Sequence, residues 1–250
     1  MIVVYKKNIL MLVVGIFCFS AILCTNIKQV GETVMTSSTP VSDKVVVLDA
    51  GHGKPDEGAQ GVNGITEENT NLKIVLKVQK LLEESGATVI LTRSDENAIY
   101  DLDKTTLREM KVSDIKNRVK IGNESSADIC VSVHLNKGDS ASYSGWQTFY
   151  KKDNEESKRL ATVIQDDLKE TIDVDNKRVA HEISNIYLID NVEIPISIVE
   201  CGFLSNPQEA EKLLTDDYQN KLAWGIYSGI LDYFNMGKNE NWFVYLKILE

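Results

Sequence analysis

The residues of this chain that are best suited to chemistry follow three apolar runs. Each run has the β-favouring composition of a buried strand and leads to a histidine or a glutamate. These are residues 45–50 followed by His52, residues 129–133 followed by His134, and residues 194–199 followed by Glu200. The ends of neighbouring parallel strands lie side by side at one edge of a sheet, where α/β proteins place their chemistry. We therefore expect these side chains to meet.

A fourth polar side chain, Glu67, begins the helix after the His52 loop, so its carboxylate can fold back over the same edge. Two imidazoles, one carboxylate and a water are the ligands of an open hydrolytic zinc site, in which the metal acidifies the water and polarises a carbonyl. The remaining carboxylate transfers protons, and Glu200 fits this role because burial would raise its pKa. Taken singly, His52 could be a solvated turn residue and Glu67 a helix N-terminal acid.

Strand patterns that alternate with helix patterns predict the scaffold for these residues. The predicted strands are 44–49, 87–93, 128–134, 145–150, 186–188 and 194–199. The predicted helices are 67–85, 107–125, 155–171 and one or two helices within 210–235. This alternation predicts a single α/β domain, with a mostly parallel mixed sheet of about six strands and helices on both faces.

The first 26 residues differ in composition from the rest. Two lysines precede an uncharged apolar run over residues 9–24, which is typical of a signal peptide or an N-terminal membrane anchor. Phe19 disfavours cleavage after Ala21, and Leu23 disfavours lipidation of Cys24. Both readings of this leader export the rest of the chain to the extracytoplasmic face of the membrane.

The remaining boundaries follow from composition. Residues 27–43, which contain Gly31 and a Ser-Ser-Thr-Pro cluster, are expected to form a linker. Residues 44–236 are expected to form the catalytic domain, and residues 237–250 a tail without a clear assignment.

Charge and cysteine usage exclude some functions. The chain has 37 acidic and 27 basic side chains and a formal net charge of −10, which argues against nucleic acid as a partner. Cys130 and Cys201 each lie in an apolar run without the close paired spacing of a structural zinc site. Buried free thiols are expected, and a disulfide between them would require adjoining strands.

Four separated motifs occur in a defined order. They are Leu48-Asp49-Ala50-Gly51-His52-Gly53 with Asp56-Glu57-Gly58-Ala59-Gln60-Gly61, then Glu67 before Asn71-Leu72, then Ser132-Val133-His134-Leu135-Asn136, and then Glu200-Cys201-Gly202-Phe203-Leu204-Ser205-Asn206-Pro207. Over residues 44–235 the chain resembles the zinc-dependent N-acetylmuramoyl-L-alanine amidases of bacterial cell-wall metabolism, the amidase-3 type.

The resemblance implies a reaction and a set of site residues. The reaction is hydrolysis of the amide that joins the lactyl group of N-acetylmuramic acid to the first L-alanine of the stem peptide, on peptidoglycan glycan strands. The resemblance places one zinc ion on His52, Glu67 and His134, and the catalytic glutamate at Glu200. Glu68 is the rival of Glu67, but the spacing to the Asn-Leu pair favours Glu67.

A short leader, a single catalytic domain and no recognisable wall-binding module resemble the spore-cortex subgroup, which prepares muramic-δ-lactam for germination. The alternative is a vegetative wall amidase that separates daughter cells. An accessory or activating protein that assists the metal site would be a further partner. Lys54-Pro55 and Leu135 depart from the residues common in relatives, but neither removes a ligand.

Two other functions compete with the amidase. A zinc exopeptidase on a related scaffold would be expected to use two metals, whereas the sequence offers one plausible set of ligands. A non-catalytic wall-binding relative would not need all four site residues.

Other side chains have weaker predictions. Asp49 could support a ligand imidazole or cap its own turn. His181 is expected in a polar loop near the groove, and Arg93 and Arg118 are expected to pair with acids of the helices. Trp146 could flank the groove or belong to the core.

Overall fold

The computed structural model describes residues 38–172 and 175–236. The predicted leader, most of the predicted linker and the predicted tail lie outside these residues. Within the described residues, no helix combines the length and the apolar character that crossing a membrane requires.

Six strands form one mixed sheet in the order β2-β1-β3-β6-β4-β5. The strands are β1 (Val45–Ala50), β2 (Thr88–Leu91), β3 (Ile129–Asn136), β4 (Gln147–Lys151), β5 (His181–Ile183) and β6 (Ile196–Phe203). All neighbouring pairs are parallel except β4 with β6, which is antiparallel. The inner strands β1 and β3 are almost continuously apolar because helices cover both of their faces. The predicted single α/β domain is confirmed.

Helices pack on both faces of the sheet. They are α1 (Glu67–Glu84), α2 (Leu107–Glu124), α3 (Glu155–Ile172), α4 (Tyr187–Asn191), α5 (Pro207–Leu213) and α6 (Asp216–Met236), and a 3₁₀ turn lies at Val62–Gly64. One core joins α1, α3, α5 and α6 to the sheet, and a smaller core joins α2 and α4 to its other face. The start of α2 is fixed by a capping box between Thr106 and Glu109.

The predicted strand at residues 186–188 is wrong. Residues Tyr187–Asn191 form the short helix α4, which buries Leu188 and Ile189 and exposes Tyr187. A three-residue apolar run has no periodicity that separates a strand from a helical turn. The true edge strand is β5, which pairs with β4 through its backbone and carries little apolar sequence.

The last parallel strand is longer than predicted. It runs to Phe203, so Glu200 lies within β6 and not after its end. Glu200 is in register with His134 on β3, on one side, and with Gln147 on β4, on the other. Paired residues of adjacent strands point to the same face, so this register brings the side chains of Glu200 and His134 to one end of the sheet.

Candidate metal centre

The structure brings His52, Glu67 and His134 together at the carboxyl ends of β1 and β3. One oxygen of Glu67, Oε1, lies 3.1 Å from Nε2 of His52 and 3.0 Å from Nδ1 of His134. Potential donor atoms of the three residues all lie within 4.8 Å of one another. Tetrahedral zinc ligands at ~2.0–2.1 Å from the metal are ~3.3 Å apart. The donor set and its spacing therefore fit a zinc ion.

His52 reaches this position through an unusual backbone. It adopts a left-handed conformation with φ 63°, which is uncommon for a residue other than glycine. Gly51, beside it, is required by packing, since a Cβ there would collide with the imidazole of His134. The two imidazoles consequently approach edge to face, with ring centroids 5.1 Å apart. Their side chains keep exposed fractions of 25% and 22%, so a substrate can reach both rings.

Glu67 is held by the backbone around it. It is the first residue of α1, where the helix dipole favours a carboxylate. Its Oε2 accepts a hydrogen bond from the amide of Ala59 and its Oε1 from the amide of Leu135. Burial alone would raise the pKa of Glu67, but its hydrogen bonds with His134 and His52 outweigh burial and lower the pKa well below its usual range. Glu67 is therefore ionised at neutral pH.

Glu68, the rival carboxylate, is directed elsewhere. Its Oε1 lies 3.5 Å from the hydroxyl of Thr66, and its Oε2 is buried without a partner among the described residues. The potential metal-ligand cluster contains Glu67 and does not contain Glu68.

Glu200 supplies a second carboxylate next to the three donors. Its Oε2 is buried and has no hydrogen-bond partner among the described residues. Burial raises the pKa of Glu200 to about 6, against the opposing effect of His134. A carboxylate with this pKa, one strand away from His134, can accept a proton near neutral pH and release it again.

A buried ion-pair network lies beneath the centre. Arg118 on α2 donates to Asp49 Oδ1 at 2.6 Å and to Asp114 Oδ2 at 2.8 Å. Asp49 also accepts hydrogen bonds from the hydroxyls of Thr92 and Ser132. Of the two roles that the sequence left open for Asp49, neither is observed among the described residues, because its oxygens accept hydrogen bonds from Arg118, Thr92 and Ser132.

Two buried arginines fix the backbone that presents His52. Arg118 donates to the carbonyls of Ala50 and His52. Arg93 donates to the carbonyls of Ala50 and Gly51 and to that of Glu68. Of the two arginines expected to pair with acids of the helices, Arg118 does so through Asp114, whereas the hydrogen bonds of Arg93 go to backbone carbonyls.

Asp56 was missed by the sequence reasoning. Its Oδ2 lies 3.0 Å from Nδ1 of His52, and its Oδ1 lies 2.8 Å from Nζ of Lys111. Burial alone would lower the pKa of His52, but hydrogen bonds with Asp56 and Glu67 raise it to about 9. The only available signal was an aspartate four residues after the histidine in a glycine-rich loop.

A cavity of about 150 Å³ adjoins His52 on the side of α2. Apolar side chains such as Leu107, Met110 and Ile115 line it, together with Lys111 and Asp56. The centre is thus flanked by a recess that could receive part of a substrate.

The remaining predicted residues do not belong to the potential metal-ligand cluster of the described residues. His181 begins the edge strand β5 and does not lie in a loop, and its ring packs edge to face on Phe149. Trp146 is fully buried and belongs to the core. Cys130 and Cys201 are buried, and among the described residues each is a free thiol.

Comparison with known proteins gives a consistent family. Residues 46–232 match the family described as N-acetylmuramoyl-L-alanine amidase, Amidase_3. A germination-specific N-acetylmuramoyl-L-alanine amidase of Bacillus subtilis is 40% identical over 79% of this chain and 82% of its own length. The amidase LytC of Bacillus subtilis is 31% identical over 84% of this chain and 41% of its own length.

Solved structures agree with this assignment. The CwlD amidase from Clostridioides difficile, determined in complex with the GerS lipoprotein, is 42% identical and has a TM-score of 0.76; the match covers 78% of this chain and all of that one. An N-acetylmuramoyl-L-alanine amidase from Clostridium difficile 630 is 29% identical, with a TM-score of 0.68 over 78% of this chain and 98% of that one. The chain therefore belongs to the N-acetylmuramoyl-L-alanine amidase family of the Amidase_3 type.

Proposed function

We propose that this protein is a zinc-dependent amidase that hydrolyses the bond between N-acetylmuramic acid and L-alanine in peptidoglycan. The observation that carries the proposal is the convergence of His52, Glu67 and His134 around one point, with the buried carboxylate of Glu200 one strand away. This is the ligand set of an open hydrolytic zinc site together with a separate proton-transfer group.

Each residue has a defined role in the proposal. His52, Glu67 and His134 would hold one zinc ion, which would acidify a water molecule and polarise the scissile carbonyl. Glu200 accepts a proton from the attacking water at a carboxylate oxygen and delivers it to the nitrogen of the departing L-alanine. A pKa of about 6 supports both halves of this transfer, because the carboxylate is ionised at neutral pH and still basic enough to be protonated in turn.

The biological setting is proposed from the relatives. We infer a role in spore cortex maturation, with muramic-δ-lactam formation, because the germination-specific relative is more similar in sequence than LytC. A vegetative wall amidase is the alternative. The GerS complex of the Clostridioides difficile relative supports an accessory protein as a partner of this chain as well.

We propose an extracytoplasmic placement of the protein on the basis of its sequence. Residues 1–26 act as a signal peptide or membrane anchor, residues 27–43 as a linker and residues 44–236 as the catalytic domain, so that the active site faces the cell wall. Peptidoglycan glycan strands with their stem peptides are then within reach, and the acidic chain is not suited to nucleic acid.

The test is muropeptide analysis of purified wall incubated with the protein and zinc. We expect released stem peptides with a free N-terminal L-alanine, and no such release by Glu200→Gln, which should still bind zinc and fold. Full turnover by Glu200→Gln would refute the assigned proton-transfer group. Absence of cleavage by the zinc-loaded protein, on both cortex and vegetative wall, would refute the amidase; cleavage of vegetative wall alone would favour the alternative setting.

A further inference from the structure

The two ring nitrogens of His52 face different carboxylates. Nε2 points to Glu67 Oε1, and Nδ1 lies 3.0 Å from Asp56 Oδ2. An ionised carboxylate only accepts hydrogen bonds, so a neutral His52 bound to Asp56 carries its hydrogen on Nδ1. The lone pair then lies on Nε2, which is the nitrogen directed at the other donors.

Asp56 is itself held by both its backbone and its carboxylate. Its backbone exchanges two hydrogen bonds with Gly53, at 3.0 and 2.8 Å. Its Oδ1 accepts a hydrogen bond from the amide of Gly58 and forms an ion pair with Lys111 of α2 at 2.8 Å. The exposed fraction of the Asp56 side chain is 20% and that of Lys111 is 49%, so the carboxylate is largely sheltered from water and the ammonium group is half exposed. A helix more than fifty residues away in sequence thereby helps to hold this carboxylate in place.

We propose that Asp56 and Lys111 are positioning residues, which form a relay that sets the tautomer and direction of His52 and thereby the affinity for zinc. The inference rests on the proposed zinc site. Asp56 orients the imidazole, and Lys111 orients Asp56. Removal of such a supporting carboxylate typically weakens metal binding ~10–100-fold.

The experiment measures zinc dissociation constants of the full chain by competition with a chelating indicator, alongside thermal unfolding of the metal-free protein. We expect Asp56→Ala to weaken zinc binding ~10–100-fold. Asp56→Asn keeps a hydrogen-bond acceptor but removes the charge, so it should weaken zinc binding less than Asp56→Ala does. Lys111→Met should weaken zinc binding severalfold. Cobalt-loaded Asp56→Ala should also show an altered visible spectrum, which a purely structural role would not produce.

Lys54→Met is the matched control. Lys54 lies on the same loop as Asp56 and forms an ion pair of 2.7 Å with Glu96 of the loop after β2; neither side chain forms a hydrogen bond or ion pair with His52 among the described residues. This variant should bind zinc as the wild type does. Equal losses of zinc affinity in Lys54→Met and Lys111→Met would mean that the affinity depends on the total positive charge near the site. This result would overturn the relay.

Other outcomes are also decisive. Wild-type zinc affinity in Asp56→Ala overturns the proposal, and a loss in Asp56→Ala without one in Lys111→Met removes Lys111 from it. If Asp56→Ala does not fold, Asp56→Asn and Lys111→Met decide by the same criteria. His52→Ala is the reference: unchanged zinc affinity in that variant would mean that the proposed metal site itself is wrong, independently of the relay.

Discussion

Replacement of Arg118 by methionine would remove the cation at the centre of the buried network below the metal centre. Arg118 and Asp49 have side-chain exposures of 2% and 1%, and their ion pair is 2.6 Å long. The substitution leaves Asp49 with hydrogen bonds from Thr92 and Ser132 only. It also leaves the carbonyl of His52 without its guanidinium donor. We expect a large loss of stability.

The magnitude follows from the pKa of Asp49. Burial would raise it, but Arg118 and the hydrogen bond from Ser132 outweigh burial and lower it from 3.8 to about 2. That difference corresponds to about 2 kcal/mol of stability at neutral pH. Removal of one partner from a buried pair costs more, about 3–5 kcal/mol, because the remaining charge is unpaired. We therefore expect a loss of about 4 kcal/mol for Arg118→Met at pH 7.

The sign of the pH dependence is an independent check. In the folded wild type the pKa of Asp49 is lowered. Its contribution to the free energy of unfolding is therefore present above pH 3.8 and is lost as the pH falls towards 2. In Arg118→Met burial raises the pKa of Asp49 above its usual range. The variant's Asp49 then takes up a proton more readily in the folded state, and the loss of stability should shrink between pH 7 and pH 4.

Urea unfolding of the metal-free protein measures these effects. With a slope of ~2 kcal/mol per molar urea, a loss of about 4 kcal/mol lowers the midpoint by ~2 M. Asp49→Asn combined with Arg118→Met should recover part of the loss, since no buried charge remains at position 49. Lys158→Met, which breaks an exposed ion pair of 3.9 Å, is the control and should change stability by less than ~1 kcal/mol. A loss below ~1 kcal/mol in Arg118→Met, or one that grows on acidification, would refute the reasoning.

Three further predictions concern packing and metal binding. Gly51→Ala should displace the His134 ring and weaken zinc binding more than ~10-fold in a chelator competition. The control Gly122→Ala, in which the nearest neighbour of the new Cβ would be a Val192 methyl at 3.3 Å, should keep the wild-type affinity, and equal zinc affinities of the two variants would contradict the packing argument. Gly229→Ala should lower the free energy of unfolding by about 1–3 kcal/mol, because a Cβ there would lie 2.6 Å from the backbone of Ile164. An unchanged urea midpoint would contradict the close approach of α6 and α3. Zinc at 100 times its dissociation constant should stabilise the protein by about 2.7 kcal/mol in thermal unfolding, and no shift would contradict a specific site.

The sheet was predictable because its central strands are covered by helices on both sides. Strands β1 and β3 read as continuous apolar runs, and the helices between them show helical spacing. The element predicted wrongly, residues 186–188, is a short segment near the edge of the sheet. Whether such a segment forms a strand or a helix depends on how Leu188 and Ile189 contact the core, and the local sequence does not contain this information.

The convergence of the four site residues was predictable for a similar reason. Parallel strands end at one edge, so His52, His134 and Glu200 had to approach one another once β1, β3 and β6 were neighbours. Which aspartate supports His52 was not predictable. The answer depends on the left-handed backbone of His52, with which its ring meets Asp56, and on the network of Arg118, Thr92 and Ser132 that takes the hydrogen bonds of Asp49.

Helix α2 explains why the support of the centre is hard to read from sequence. None of its residues belongs to the potential metal-ligand cluster, yet it acts on His52 at two points. Arg118 binds the carbonyl of His52, and Lys111 reaches the ring of His52 through Asp56. The two residues are seven positions apart, which is two helical turns, so they lie on one face of α2. Helix α2 thus contacts the backbone of His52 directly and its ring through Asp56, so the packing of α2 on the sheet contributes to the orientation of this imidazole.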